Sequence, residues 1–255
     1  MPTSIHPPRI RRDAEVAGVH IQYHLAGAGD PVVLVHGLSG SSRWWARNLA
    51  PLAERYTVYL VDLPGFGAMR HLRRAFVLAR AAHWLREWMR TAGLARAHLV
   101  GHSMGGLIAI RLAAAYPEVV RRLVLATPAG IPTAKTLLGE VVPLIRAIGA
   151  TTPAFLPVLA YDALRAGPLT LLRASQALLR EDVRDDLARI AAPTLLIWGS
   201  RDTLVPPSLG SLMCDQIPSA RLVVIPGAGH VVMFDRPDQF NAELLTFLAG
   251  ESERR

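Results

Sequence analysis

Ser103 lies in Gly101-His102-Ser103-Met104-Gly105, between the apolar run Ala97-His98-Leu99-Val100 and a helix-like run that begins at Met104. A serine on a sharp strand-to-helix turn is a nucleophile held out for attack on an acyl carbon. Glycines two before and two after it relieve the crowding of so tight a turn. The hydroxyl alone is weak. It needs a base, a carboxylate that orients the base, and donors for the oxyanion. The pentapeptide by itself also fits a Gly/Ser-rich turn with no chemistry, so the rest of the chain must supply those partners.

His230, in Gly227-Ala228-Gly229-His230, is the only histidine after Ser103 and so the candidate base. The candidate acid is Asp202, in Gly199-Ser200-Arg201-Asp202, just past a strand-like run ending at Trp198. Carboxylates at strand C-termini face the ligand crevice of an open α/β sheet. Asp215, Asp235 and Asp238 fall in helix-like or flanking contexts, and Ala126-Thr127-Pro128 offers no carboxylate. Asp62, in Asp62-Leu63-Pro64-Gly65-Phe66-Gly67, precedes the serine and reads as part of a tight structural loop. For the oxyanion, one backbone N–H is that of Met104, at a helix N-terminus. The other is that of Leu38, in His36-Gly37-Leu38, where Gly37 lets the backbone approach a substrate. His36 and His102 precede or abut the serine and read as structural.

These residues need a frame. Short apolar runs at 19–25, 32–35, 57–61, 98–100, 123–126, 194–198 and 222–225 read as strands. Helical spacing at 75–91, 104–115, 207–216 and 237–249 separates them. Alternating strands and helices without period-2 polarity predict a mostly parallel sheet covered on both faces. The alternation breaks over 128–190, a segment too long for a loop and punctuated by Pro132, Pro143, Pro153, Pro157 and Pro168. It reads as a helical cap over the strand C-termini, between core segments 1–127 and 191–255. Its Leu137, Leu138, Val141, Leu144, Phe155, Leu156 and Leu159 point to a substrate with apolar bulk, where they do not simply pack the cap.

Composition narrows the function classes. The formal charge is +8, with Lys135 the single lysine. The arginines are scattered and no basic run interleaves with aromatics, so a nucleic-acid partner is not expected. One cysteine, Cys214, leaves no disulfide framework and no cysteine-based zinc site. Residues 1–13 carry prolines and arginines and no apolar signal core. The cap's apolar stretch is too interrupted by charge for stable membrane insertion. The expectation is a cytoplasmic protein of unknown oligomeric state.

The chain resembles the α/β-hydrolase fold serine hydrolases, in their cap-containing esterase and lipase-like group. The resemblance rests on five motifs in order: His36-Gly37-Leu38 with Trp44 downstream, the segment from Asp62 to Gly67, Gly101 to Gly106, Leu196-Ile197-Trp198-Gly199-Ser200-Arg201-Asp202, and Gly227 to His230. It implies an α/β fold with about eight strands, the cap inserted after the sixth, a Ser103–His230–Asp202 triad and no metal or organic cofactor. Gly37, Ser39, Trp44 and Val231 are then the candidate substrate contacts. A serine nucleophile sets the chain apart from the dehalogenases and epoxide hydrolases of this fold, which use aspartate. The oxyanion loop lacks the His-Gly-Gly-Gly and Gly-Gly-Pro-Gly forms and is similar to that of esterases, enol-lactonases and hydrolases of meta-cleavage products. The implied reaction is hydrolysis of a small apolar ester, lactone or thioester, with water as second substrate. Two other readings stay open: carbon–carbon bond hydrolysis of a dienoic diketone by the same triad, and a non-catalytic fold that binds a small ligand.

Overall fold

In a computed structural model, residues 8–72, 77–132 and 136–250 are described, apart from the side chains of Leu137, Glu140 and Val141. Eight strands form one sheet: β1 (Ile10–Val16), β2 (Val19–Ala26), β3 (Asp30–Val35), β4 (Tyr56–Val61), β5 (Ala97–His102), β6 (Val120–Ala126), β7 (Thr194–Gly199) and β8 (Ala220–Ile225). Their order is β1-β2-β4-β3-β5-β6-β7-β8. The pairs β1–β2 and β2–β4 are antiparallel, and from β4 to β8 all neighbours run parallel. The chain leaves β3 toward β4 on one side and later places β5 on the other. The crevice at such a reversal of direction is where open α/β sheets bind ligands.

Among the described residues ten α-helices accompany the sheet: α1 (Leu49–Ala53), α2 (Ala81–Thr91), α3 (Met104–Ala115), α4 (Leu137–Ala150), α5 (Leu156–Ala166), α6 (Pro168–Leu178), α7 (Arg184–Leu187), α8 (Pro207–Gln216), α9 (Val232–Asp235) and α10 (Pro237–Leu248). Alternate residues of each central strand point to opposite faces. Val33 and Val35 join a core with Trp88 of α2, Leu107 of α3 and Met213 of α8. Val32 and Leu34 join a second core with Leu49 of α1 and Phe240 of α10. Both faces are therefore buried, which is why the strands lack alternation in sequence.

Helices α4 to α7 lie between β6 and β7, so the insertion follows the sixth strand as expected. The main departure is β1. Its sequence, IRRDAEV, is almost wholly exposed and carries no apolar pattern. It holds to β2 through backbone pairing across the Ala17-Gly18 turn, a feature that side-chain periodicity does not register. The helix expected over 75–91 is described from a 3-10 turn at Leu78–Arg80 into α2, and its first two positions lie outside the described residues.

Candidate active site

Four loops meet at the C-terminal edge of the sheet. Ser103 joins β5 to α3 with φ 51 and ψ −117, outside the regions an L-residue prefers. Its backbone is held from three sides. Its amide donates to the Ala126 carbonyl at 3.1 Å, and its carbonyl accepts from Leu107 at 3.1 Å and Ala129 at 3.0 Å. The flanking glycines are steric necessities. A Cβ on Gly101 would stand 2.5 Å from the Gly105 carbonyl, and one on Gly105 would run into the Val35 carbonyl.

Asp202 follows β7 in a turn closed by its amide on the Gly199 carbonyl at 3.1 Å. One carboxylate oxygen accepts from the Leu204 and Val205 amides, both at 2.9 Å. The other accepts from His230 Nδ1 at 2.8 Å. His230 Nε2 lies 3.0 Å from Ser103 Oγ. With Nδ1–H committed to the carboxylate, Nε2 is the free base and the serine hydroxyl donates to it. The three residues are nearly buried, at 7% exposure for Ser103, 4% for Asp202 and 8% for His230.

The His230 loop is fixed through its backbone. The His230 carbonyl accepts from His102 Nε2–H at 3.0 Å and from the Thr127 hydroxyl at 2.8 Å. Burial keeps the His102 imidazole well below its usual titration range, with His230 beside it acting the same way. His102 is thus a neutral strut. His36 is another. Its Nε2 accepts from the Leu63 amide at 3.0 Å, so Nδ1 carries the proton and donates to the Gly37 carbonyl at 2.8 Å. Asp62 takes the Ser42 amide at 2.6 Å and the Ala68 amide at 2.7 Å, tying two loops together.

The loop after β3 runs past the nucleophile. A Cβ on Gly37 would stand 3.1 Å from Ser103 Cβ and 2.8 Å from His102 Nδ1, so only glycine permits this approach. Leu38 follows it directly, and the Met104 amide begins α3. Ser39, with φ 62, is buried, as are Trp44 and Val231. The Trp44 ring lies tilted to His102 at 5.6 Å and edge-to-face with Phe155 at 5.0 Å between centroids.

Asp162, on α5 of the cap, is the residue that sequence reasoning passed over. Its side chain is 0% exposed. It accepts from Ser41 Oγ at 2.7 Å, Arg43 at 3.1 Å and Trp44 Nε1 at 3.2 Å. Burial pushes its carboxyl pKa up, while the Ser41 hydrogen bond and the Arg43 charge pull it down. A single carboxylate within the largely apolar α5 was the available signal. Asp235 is a second tie, accepting from Thr152 of the cap at 2.8 Å and from Gly229 at 2.9 Å. The cap therefore grips the loop before the serine and the loop that carries the histidine. Of the cap's apolar candidates, Phe155 is wholly buried, whereas Leu138, Leu144 and Leu156 are exposed. Leu159 is partly buried against the core. Leu137 and Val141 lie outside the described side chains. Among the described residues no group of His, Cys, Asp and Glu side chains is arranged to hold a metal ion.

The model of the alpha/beta hydrolase family matches residues 32–243. A pimeloyl-[acyl-carrier protein] methyl ester esterase of Aeromonas hydrophila is 32% identical over 88% of this chain and 97% of its own. A 2-hydroxy-6-oxo-6-phenylhexa-2,4-dienoate hydrolase of Comamonas testosteroni is 32% identical over 89% of this chain and 91% of its own. Among solved structures, a bacterial membrane phospholipase A superposes with a TM-score of 0.83 at 29% identity, over 95% of this chain and 86% of its own.

Proposed function

For a chain that belongs to the alpha/beta hydrolase family, we propose a serine hydrolase that cleaves carboxylic esters of small to medium apolar acyl or aryl groups. The observation that carries this reading is the unbroken contact chain from Ser103 Oγ through His230 to Asp202, at 3.0 and 2.8 Å. Ser103 attacks the acyl carbonyl as His230 Nε2 takes its proton. Asp202 holds the imidazole tautomer and balances the cation that forms. The Leu38 and Met104 amides receive the oxyanion, an arrangement in which losing one donor costs roughly 2.7–4 kcal/mol of barrier. The leaving alcohol departs with the proton from His230. Water, activated by the same imidazole, then releases the acid from Ser103. Gly37, Ser39, Trp44 and Val231 remain the proposed substrate side of the site.

A second reading has its own support. The Comamonas relative is a dienoate hydrolase at the same identity as the esterase. The two are separated by assaying nitrophenyl esters of increasing acyl length beside a dienoic diketone. Faster turnover of an ester supports the first reading. Turnover of the diketone alone overturns it in favour of carbon–carbon cleavage. Normal ester turnover by Ser103→Ala overturns both.

A further inference from the structure

The cap turns its large apolar side chains outward. Of the thirteen exposed large hydrophobic residues described, ten lie between Leu138 and Leu172, with Leu138 at 82% and Leu164 at 83% exposure. On α4, Leu138, Val142 and Ile145 recur at i, i+4 and i+7 and share one stripe, with the buried Ala147 on the opposite side. On α6, Leu169, Leu172 and Arg173 form a similar stripe opposite buried Ala174. A helix of a water-soluble domain ordinarily turns such a stripe toward the core. Here Ala147 and Ala174 face in while these stripes face out, although Phe155, Leu159, Leu171 and Leu178 of the same segment pack inward.

Among the described residues, the exposed charge on these helices has one sign. The exposed charged side chains described between 136 and 180 are Arg146, Arg173 and Arg180. None of the three forms an ion pair among the described residues. Asp162 is buried in its contacts with Ser41, Arg43 and Trp44. Arg146 follows Val142 by one turn and so borders the α4 stripe.

We propose that this face of the cap docks on an anionic lipid bilayer. The leucines enter the boundary between headgroups and acyl chains, and the arginines meet lipid phosphates. A second copy of the chain fits less well, because a two-fold contact would set arginine against arginine. The mode is lying on the membrane. No single described helix is long and apolar enough to cross it, and the pair Val142–Ala150 and Pro153–Ala166 meets that length only across a 107° bend. The cap that carries these stripes is tied to α9 through Thr152 and Asp235, and Asp235 also accepts from Gly229 of the histidine loop. The proposal concerns binding and stands apart from the reaction assigned to Ser103.

The test is co-sedimentation of the Ser103→Ala protein, which leaves lipid uncleaved, with vesicles of phosphatidylcholine alone or mixed with phosphatidylglycerol. Binding is expected to the mixed vesicles and to weaken with added salt. Removing Arg146 and Arg173 together lowers the partition coefficient on the order of 25-fold, at about fivefold each. Leu138→Ser with Leu164→Ser lowers it too, and soluble-ester turnover of the same surface variants in the Ser103 background reports that the fold is intact. Absence of binding to phosphatidylglycerol vesicles overturns the proposal, as does binding indifferent to both substitution pairs. Concentration-dependent dimers abolished by the leucine substitutions, without vesicle binding, assign the face to a second copy instead. Binding of acidic soluble proteins but not of vesicles assigns it to a protein partner.

Discussion

Replacing Asp162 by alanine removes a carboxylate whose side chain is 0% exposed and whose three donors all belong to the loop from Ser41 to Trp44. Hydrogen bonds to a charged group contribute about 1.5–3 kcal/mol each. The Ser41 hydroxyl and the Trp44 indole N–H sit in buried residues, so each would lose its partner away from water. Arg43 is 46% exposed and regains water, so its share is small. Against these losses stands relief of burying the carboxylate, whose raised pKa records that cost. The balance is roughly 2–4 kcal/mol of destabilisation, overlapping the lower part of the about 3–5 kcal/mol for breaking a buried pair from one side. For a domain of this length that lowers Tm by roughly 5–15 °C. The kinetic effect is more diagnostic. The same loop begins at Gly37 and Leu38, so slack in it moves the proposed oxyanion donor, and a displacement of about 1 Å costs on the order of 100-fold. Steady-state kinetics of Asp162→Ala should show kcat falling far more than KM rises. Asp162→Asn, which keeps one acceptor oxygen, should recover most of the loss, and Arg43→Ala should change little. An Asp162→Ala protein with unchanged Tm and unchanged kcat refutes the reasoning.

Three other perturbations have defined signs. Phe155 is wholly buried between Trp44 and Phe234, with centroids 5.0 and 4.8 Å away, so Phe155→Ala should cost about 3–5 kcal/mol in denaturant unfolding. Gly37→Ala forces a Cβ to 2.8 Å from the buried His102 ring and 3.1 Å from Ser103 Cβ, and should lower kcat at least about tenfold together with Tm. Burial holds His36 and His102 below the ordinary imidazole range and His98 down to about 4. The unfolded chain takes up these protons from about pH 6.5 downward, and the folded chain resists. Stability should therefore fall on acidification from about pH 6.5 toward 4, by up to about 1.4 kcal/mol per pH unit for each histidine. Asp162 acts in the opposite sense, because its raised pKa lets the folded state take a proton first. A Tm that stays level from neutral pH down to about 5 contradicts the histidine assignment.

The frame was legible where one residue class answers to one constraint. Helix α3 begins at Met104 and ends at Ala115 as its spacing predicts, because a buried strand, a glycine-relieved turn and an apolar helix follow one another there. Helix α8, at Pro207–Gln216, opens on a proline that suits a helix start. Ser103, Asp202 and His230 were nameable as candidates because each lies on a loop that follows a strand, and those strand ends share one edge. β1 escaped because an exposed edge strand answers to backbone pairing alone. Asp162 escaped for a different reason. Its partners lie 118 to 121 positions away, and no local pattern in α5 encodes that contact. The outward leucines of the cap were legible as apolar residues, but the direction they face depends on which side of each helix the core claims.

The proposed role of Ser103 as nucleophile, activated by His230, is open to a direct measurement: treating the protein with a fluorophosphonate and locating the adduct by peptide mass mapping. One phosphonyl group is expected on Ser103, with no labelling of Ser103→Ala and labelling slowed by orders of magnitude in His230→Ala. Labelling of the folded protein at any other residue, or undiminished labelling of Ser103→Ala, would contradict it.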